Sequence, residues 1–297
     1  MASMIDRYLL RYVLAVIDQG NFSRAAAACN VSQPTLSAGI AKLERSLGRA
    51  LFNRSNRRVE LTEAGVRLAV HARRIEAEFT LAEREVLGSA VANTLRLGTL
   101  LTIPSAWIAA FIARLHAIGG DDRAELVEGR ERDLLDRLAR GRIDVALTIL
   151  RPDNDRFARE GLFSEGYSLA MAAGHPLSAR DMIEPTELAD NSMIVRRNCE
   201  LLSDTSRYFT AHGVRPFFAA RTTSDDRAMA YVRAGLGVTV MPDSFRSPGM
   251  VRPRLADFGF MREVGLLYAP HVDRHRLREG QVLRTLCETI EAQRGQA

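Results

Sequence analysis

Two helical segments separated by a turn of a few residues constrain this chain more than any other feature. Residues 24–29 (RAAAAC) and the stretch from Ser32 or Gln33 to Leu47 both read as helix, and Asn30-Val31 lies between them. Asn21 or Ser23 can cap the first segment. Its alanines permit close approach between helices. Asn30 suits a left-handed C-terminal position, and Val31 returns the chain to a core. Pro34 falls in the first turn of the next helix, where a missing N–H costs little. Leu36, Ile40, Leu43 and Leu47 step by four, three and four, so they share one face, and Gly48 ends the run. Upstream, residues 8–19 place apolar side chains at 9/10, 13/14 and 16/17, a third helix of the same unit, broken by Gly20-Asn21.

A helix that opens Ser-Gln-Pro-Thr after a tight turn has the geometry to enter a DNA major groove, its N-terminal residues toward base edges and its positive end toward phosphate. Gln33 can pair with adenine through two hydrogen bonds, and Thr35 and Ser37 can bond a base edge or meet a thymine methyl. Ser32, Pro34 and Ala38 complete the expected reading surface. Leu51-Phe52 then leads into Asn53-Arg54-Ser55-Asn56-Arg57-Arg58 and a short strand, Val59–Leu61. This reads as a β-wing whose Arg54, Arg57 and Arg58 meet the backbone or a minor groove. A small helical domain with a solvated basic face is the blander alternative.

Charge supports the first reading. Residues 1–74 hold twelve Lys/Arg against five Asp/Glu, residues 75–92 one against four, and residues 93–297 28 against 27. A basic unit on a near-neutral remainder points to a polyanionic partner for the N-terminal part only. The cations are 40 Arg and one Lys, Lys42, so arginine enrichment marks no particular site.

From Leu68 the sequence steps Leu68, Ala72, Ile75, Phe79, Ala82, Val86, a heptad seam on one long helix that Thr62-Glu63 can start. Pairing with a second copy of the chain is the simplest use of the seam; packing on its own domain is the alternative. Gly88 and residues 89–93 read as a hinge.

Beyond it, Thr94–Thr99 reads as a strand, Ile103–His116 as a helix, Arg123–Val127 as a strand, Arg130–Arg140 as a helix and Asp144–Leu150 as a buried strand. This βαβαβ order predicts a mainly parallel sheet with helices on both faces, and ligands beyond the strand ends. Strands also fit Gly166–Ala172, Met193–Val195, Ala219–Thr222, Gly237–Val240 and Gly265–Tyr268, with helices near 200–211, 225–234 and 274–293. Two α/β lobes with a cleft between them follow.

The stretch from Asn21 to Gly65 resembles the N-terminal domain of the LysR-type transcriptional regulators. Phe22-Ser23-x-Ala25-Ala26, Val31-Ser32-Gln33-Pro34-x-Leu36-Ser37, Ile40-x-x-Leu43-Glu44, Leu47-Gly48, Leu51-Phe52-x-Arg54 and Leu61-Thr62-x-Ala64-Gly65 carry the likeness. More loosely, Leu95–Gly98, Leu126–Gly129, Leu134 through Ala146, His175-Pro176-Leu177 and Ala234 through Pro242 resemble the family's effector domain. The resemblance implies an α/β protein in three parts. Residues 4–62 form a mainly α winged helix-turn-helix (helix-turn-helix about 22–41), and residues 63–92 a linker and dimerisation helix with its hinge. Residues 93–297 form a two-lobe effector domain similar to periplasmic solute-binding proteins. It implies double-stranded DNA as partner, a homodimer or homotetramer, and RNA polymerase as a further partner if the protein activates. A small-molecule effector would sit between the lobes. The implied walls are Thr102, Pro104, Ser105, Gly129, Arg130, Arg197, Asn198, Cys199, Leu202, Thr223, Met241 and Pro242. Arg130, Arg196 and Arg197 would favour an anionic effector. Peroxide-sensing relatives carry a cysteine in the segment of Cys199 and a second nine residues on, where this chain has Tyr208. Cys199, following Arg196-Arg197 at a helix start, could have a lowered thiol pKa and react; a pocket-lining or buried thiol is the preferred reading.

Other classes are excluded or weak. No apolar run approaches the roughly 18 residues that a membrane helix needs. The N-terminus lacks a secretory h-region, so a cytoplasmic location is expected. Cys29, Cys199 and Cys287 are too scattered for a disulfide framework or zinc cluster. No phosphate-binding glycine loop or nucleophile elbow occurs. His271 and His275 lack a third ligand and read as a solvated helix start. No catalytic residue, metal or cofactor is expected. The rival to a DNA-binding regulator is a cytoplasmic small-molecule binding protein with an N-terminal dimerisation module.

Overall fold

The computed structural model describes residues 5–54, 59–87 and 94–295. The N-terminal unit consists of α1 (Arg7–Gln19), α2 (Phe22–Ala28), α3 (Gln33–Leu47) and an antiparallel ribbon of β1 (Phe52–Arg54) and β2 (Val59–Leu61). Local chemistry accounts for its joints. Gly20 and Gly48 end α1 and α3 in the left-handed region, and Asn30 adopts φ 54° after α2. Of the two candidate caps for α2, Asn21 serves: its Oδ1 accepts from the N–H groups of Ser23 (2.8 Å) and Arg24 (3.1 Å). Ser32 likewise caps α3, its Oγ accepting from Thr35 N–H at 3.2 Å. Glu44 Oε1 accepts from Leu51 N–H at 2.8 Å and Phe52 N–H at 3.3 Å, tying α3 to the ribbon. Leu9, Val13, Ala25, Leu36, Ile40 and Leu43 form the core.

Helix α4 (Glu63–Leu87) leaves this unit over the same corner. Thr62 Oγ1 accepts from Gly65 N–H at 3.0 Å and donates to Ala50 O at 2.7 Å. A Cβ at Gly65 would stand 2.2 Å from Leu51 O, so only glycine lets the helix dock here. The expected hinge, residues 88–93, lies outside the described residues.

The C-terminal part contains β3 (Thr94–Leu100), α5 (Ser105–Ile118), β4 (Arg123–Gly129), α6 (Glu131–Ala139), β5 (Val145–Ile149), β6 (Ala158–Ala172), β7 (Met182–Ile183), β8 (Ser192–Arg196), α7 (Leu202–Ala211), β9 (Phe217–Thr222), α8 (Asp225–Arg233), β10 (Thr239–Pro242), β11 (Met250–Val251), β12 (Arg254–Leu255), β13 (Met261–Tyr268), α9 (Arg274–Glu279) and α10 (Gln281–Gly295). The main sheet runs β10-β6-β13-β5-β3-β4, with β11 also on β6. Parallel pairing in it is confined to β4-β3-β5; β13 and β6 join antiparallel. The sheet is therefore mixed, where the βαβαβ pattern predicted a mainly parallel one. β6 bridges two lobes: residues 158–166 pair with β13, and residues 167–172 with β10 and β11. The first lobe packs around Trp107, Phe111, Leu147, Leu266 and Leu286. The second packs around Leu169, Met171, Val238 and Phe209, with Ile194, Val232 and Phe245 beside them.

Several element boundaries differ from the sequence reading; β13, for one, begins at Met261 and not at Gly265. β6 begins eight residues before the expected Gly166, because its first half is held by β13 and not by its own apolar pattern. The expected strand at Gly237 starts at Thr239; Gly237 instead lies against Ser192, where a Cβ would sit 2.4 Å from the carbonyl oxygen. The C-terminal helix is divided at Gly280, which is extended (φ −62°, ψ 146°).

Candidate DNA-reading surface and effector cleft

With Leu36, Ile40 and Leu43 inward, α3 turns Ser32, Gln33, Pro34, Thr35 and Ala38 to the outside, and Ser37 is half-buried beside them. The polar groups are pre-ordered. Ser32 Oγ and Thr35 Oγ1 are 2.8 Å apart, and Gln33 Nε2 donates to Ser37 Oγ at 3.0 Å. The helix dipole adds positive potential at the same end. Arg54 ends β1; its side chain, and Arg57 and Arg58 entirely, lie outside the described residues.

The linker seam divides into two stretches. Ala72 is fully buried and Leu68 half-buried in the core of the N-terminal unit itself, together with Ala69. Ala72 packs within the chain, because alanine lets α4 lie close against that core, and it is not free for a partner; Leu68 is covered only in part. Ile75 and Phe79 remain 39% and 44% exposed, and Ala82 is exposed. Arg7 covers one side of the Phe79 ring, 4.2 Å from its centroid, and bonds Glu76 at 3.0 Å. The Val86 side chain lies outside the described residues. Arg73 pairs with Asp18, and Arg74 donates to Pro270 O, so α4 touches both the reading unit and the first lobe.

Between the lobes the main group is one that sequence reasoning missed. Arg262, buried at the start of β13, donates from Nε to Glu165 (2.8 Å) and from Nη1 to Glu200 (2.6 Å) and to Thr102 Oγ1 (3.2 Å). Tyr167 donates to Glu200 at 2.6 Å, and Ser244 donates to Glu165 through its N–H at 2.6 Å and its hydroxyl at 3.1 Å. Thr102 of the first lobe is thereby joined to Glu200 of the second. A second link closes the same gap: Ser105 Oγ, at the start of α5, donates to Asp226 at the start of α8 at 2.6 Å.

The other expected wall residues spread more widely. Pro104 is buried at the start of α5, and Gly129 is buried at the end of β4, packed on Leu134. Arg130 and Arg197 are exposed, as is Thr223. Asn198 donates to Thr223 O at 2.8 Å, while its Oδ1 is buried without a partner among the described residues. Met241 is fully buried in the core of the second lobe, so it is a packing residue and not a wall; Pro242 is buried beside it. Arg196 also corrects an expectation. It is buried and held by both oxygens of Asp225 and by Val240 O, so it is not available to an effector.

Cys199 fits the reading as a largely buried thiol and not the one with a lowered pKa. Burial pushes its thiol pKa up, and the charge of Glu200 adds to the rise, outweighing the pull of Arg196. Tyr208, nine residues on, is buried, donates to Ala256 O, and packs edge-on against Phe209 and Phe258. His271 is likewise not a solvated helix start: it is buried and 3.0 Å from Asp144. Among the described residues no cluster of three or more His, Cys, Asp or Glu could hold a metal ion. No described helix is long and apolar enough to cross a membrane.

A winged helix-turn-helix joined by one long helix to a two-lobe binding domain defines a DNA-binding transcriptional regulator and not an enzyme. The chain belongs to the LysR family: residues 8–66 match the bacterial regulatory helix-turn-helix protein of that family, and residues 88–287 match the LysR substrate binding domain. Members of the family bind DNA and small-molecule effectors and assemble as oligomers. The chain is 30% identical over 236 residues to a hydrogen peroxide-inducible genes activator of Dickeya chrysanthemi, covering 78% of this chain and 77% of that one. It is 29% identical over 269 residues to the DNA-binding transcriptional dual regulator OxyR of Escherichia coli K12, covering 88% of each. A full-length OxyR variant from Pseudomonas aeruginosa superimposes with a TM-score of 0.72 at 25% identity, over 97% of this chain and 95% of that one.

Proposed function

We propose that this regulator reads a promoter through the exposed first turn of α3. Ser32, Gln33, Pro34, Thr35, Ser37 and Ala38 meet base edges, and Arg54, Arg57 and Arg58 meet phosphates or a minor groove. The outward placement of Gln33 on a helix whose opposite face is fully buried is the observation that carries this reading. Two or four copies pair through Ile75, Phe79 and Ala82 and through effector-domain surfaces. The dimers hold two spaced half-sites and bend the DNA between them. An effector bound between the lobes changes the contacts around Ser105–Asp226 and Thr102–Arg262. It acts only as far as it favours one lobe arrangement over another. Arg130 and Arg197 are the exposed cations there for an anionic effector. Selection from a pool of random duplexes tests the reading: it should return one motif with approximate two-fold symmetry, and an unenriched pool would contradict it.

The relatives' names raise a second reading, response to peroxide, and the retained Cys199 favours it. The step would be oxidation of the Cys199 thiol to a sulfenic acid as hydrogen peroxide is reduced to water. With Tyr208 in the second position, no disulfide between those two places can follow. The raised thiol pKa makes this slower than in a sensor with a stabilised thiolate. Mass spectrometry of peroxide-treated protein, paired with DNA binding, distinguishes the readings.

A further inference from the structure

The open space in the second lobe does not coincide with the gap between the lobes. A cavity of about 720 Å³ lies between α7 and the β8-β9 sheet, a size suited to a small ligand. Of the expected wall residues only Cys199 and Leu202 line it. Its walls are apolar, with Met193, Val195, Phe209, Val214 and Phe218 among them. Among the described residues three arginines line it and no Asp or Glu does. Arg196 is already neutralised by Asp225. Arg215 and Arg221 are exposed and form no ion pair among the described residues; Arg221 stacks 5.3 Å from the Phe218 ring. Thr205 Oγ1 lies buried on the wall without a hydrogen-bond partner among the described residues. Phe218 and its neighbour Phe217 are 42% and 72% exposed, leaving β9 unusually apolar near Arg221.

We propose that this cavity is a ligand site of its own, separate from the inter-lobe site, and that it takes an anion with an apolar body, a medium-length carboxylate being the simplest. The apolar part covers Leu202, Phe209 and Phe218. The head accepts charge-assisted hydrogen bonds from Arg215 and Arg221, and Thr205 offers a donor inside. Absence of any carboxylate from the wall sets the sign of the ligand, since an amine would meet cations with no counter-charge. The site stands whether or not an effector also binds between the lobes.

Octanoate, octylamine and octan-1-ol are suitable probes, with the full chain and iodoacetamide labelling as the readout. Bound octanoate should shield Cys199 and slow its alkylation, while Cys29, in the N-terminal unit, keeps its rate. Octylamine should give no protection, and octan-1-ol less than octanoate. The Arg215→Gln/Arg221→Gln double variant should bind octanoate about tenfold or more weakly, the loss expected for charge-assisted bonds. Ser105→Ala, which alters only the inter-lobe link, should leave protection unchanged. An unchanged Cys199 rate in octanoate, equal protection by octylamine, or full protection in the double variant would overturn the proposal. Protection lost in Ser105→Ala would assign the ligand to the inter-lobe gap and overturn it too.

Discussion

Glu200 accepts a 2.6 Å hydrogen bond from Arg262, and the two side chains are 7% and 2% exposed. Arg262 is shared with Glu165, so one buried cation serves two buried carboxylates, one on the bridging strand β6 and one in the second lobe, and reaches Thr102 of the first. Arg262→Leu leaves both carboxylates without their cation and should destabilise the effector domain by about 3–5 kcal/mol. Glu200→Gln keeps the Arg262–Glu165 pair and should cost clearly less. Urea unfolding of both variants checks the order, and a larger loss in Glu200→Gln would contradict the assignment.

The same carboxylate bears on Cys199. Burial is the main cause of its raised thiol pKa, and Glu200 adds to it. Glu200→Gln removes a negative charge beside the sulfur, so the pKa falls and more thiolate is present near neutral pH. Iodoacetamide should then alkylate Cys199 faster in the variant, with the pH profile displaced to lower pH. An unchanged profile would show that Glu200 does not act on the thiol.

A third expectation concerns acid. Burial pushes the His271 pKa below its ordinary value of 6.5, against the pull of Asp144, with Arg96 and Arg73 acting in the same direction as burial. Burial alone would raise Asp144, but the hydrogen bond from His271 and the charge and hydrogen bonds of Arg96 hold it well below the usual carboxylate range. The unfolded chain therefore takes up the His271 proton first as pH falls. Stability from this group is full above about pH 6.5 and is lost below it, down to the lower folded pKa; Asp144 adds its loss only in stronger acid. The urea midpoint should drop between about pH 7.5 and about pH 5.5, and His271→Gln should flatten that slope. An equal slope in the variant would place the acid sensitivity elsewhere.

The divided linker seam predicts two opposite phenotypes. Ile75→Ser and Phe79→Ser change side chains that are 39% and 44% exposed, so sedimentation should show weaker self-association with little change in monomer stability. Ala72→Leu overfills a fully buried position and should cost about 1–3 kcal/mol. Unaltered association in an Ile75→Ser/Phe79→Ser double variant would remove α4 from the oligomer contact.

What could be read in advance was what short-range chemistry decides. Asn21, Asn30, Ser32 and Gly48 act within a few residues of themselves, and the structure places a cap or a turn at each. The α3 stripe is also local, since a helix fixes which residues share a face. The cleft was far less legible. Arg262 meets Glu165 and Glu200 across 97 and 62 positions of sequence, and Arg196 meets Asp225 across 29. In a chain with 40 arginines, no pattern marks the few that fold inward. Ala72 failed for a different reason: a heptad step looks the same whether its partner is a second chain or the helices of its own unit.

The central claim is that Gln33 reads sequence while the wing arginines supply charge. Fluorescence anisotropy of wild type, Gln33→Ala and Arg57→Ala, on the selected duplex and on random DNA across a salt series, tests it most directly. Gln33→Ala should lose affinity for the selected duplex by about 1–3 kcal/mol and keep its affinity for random DNA and its salt slope. Arg57→Ala should weaken both alike and lower the salt slope by about one. Equal losses by Gln33→Ala on both DNAs would contradict the reading role of α3.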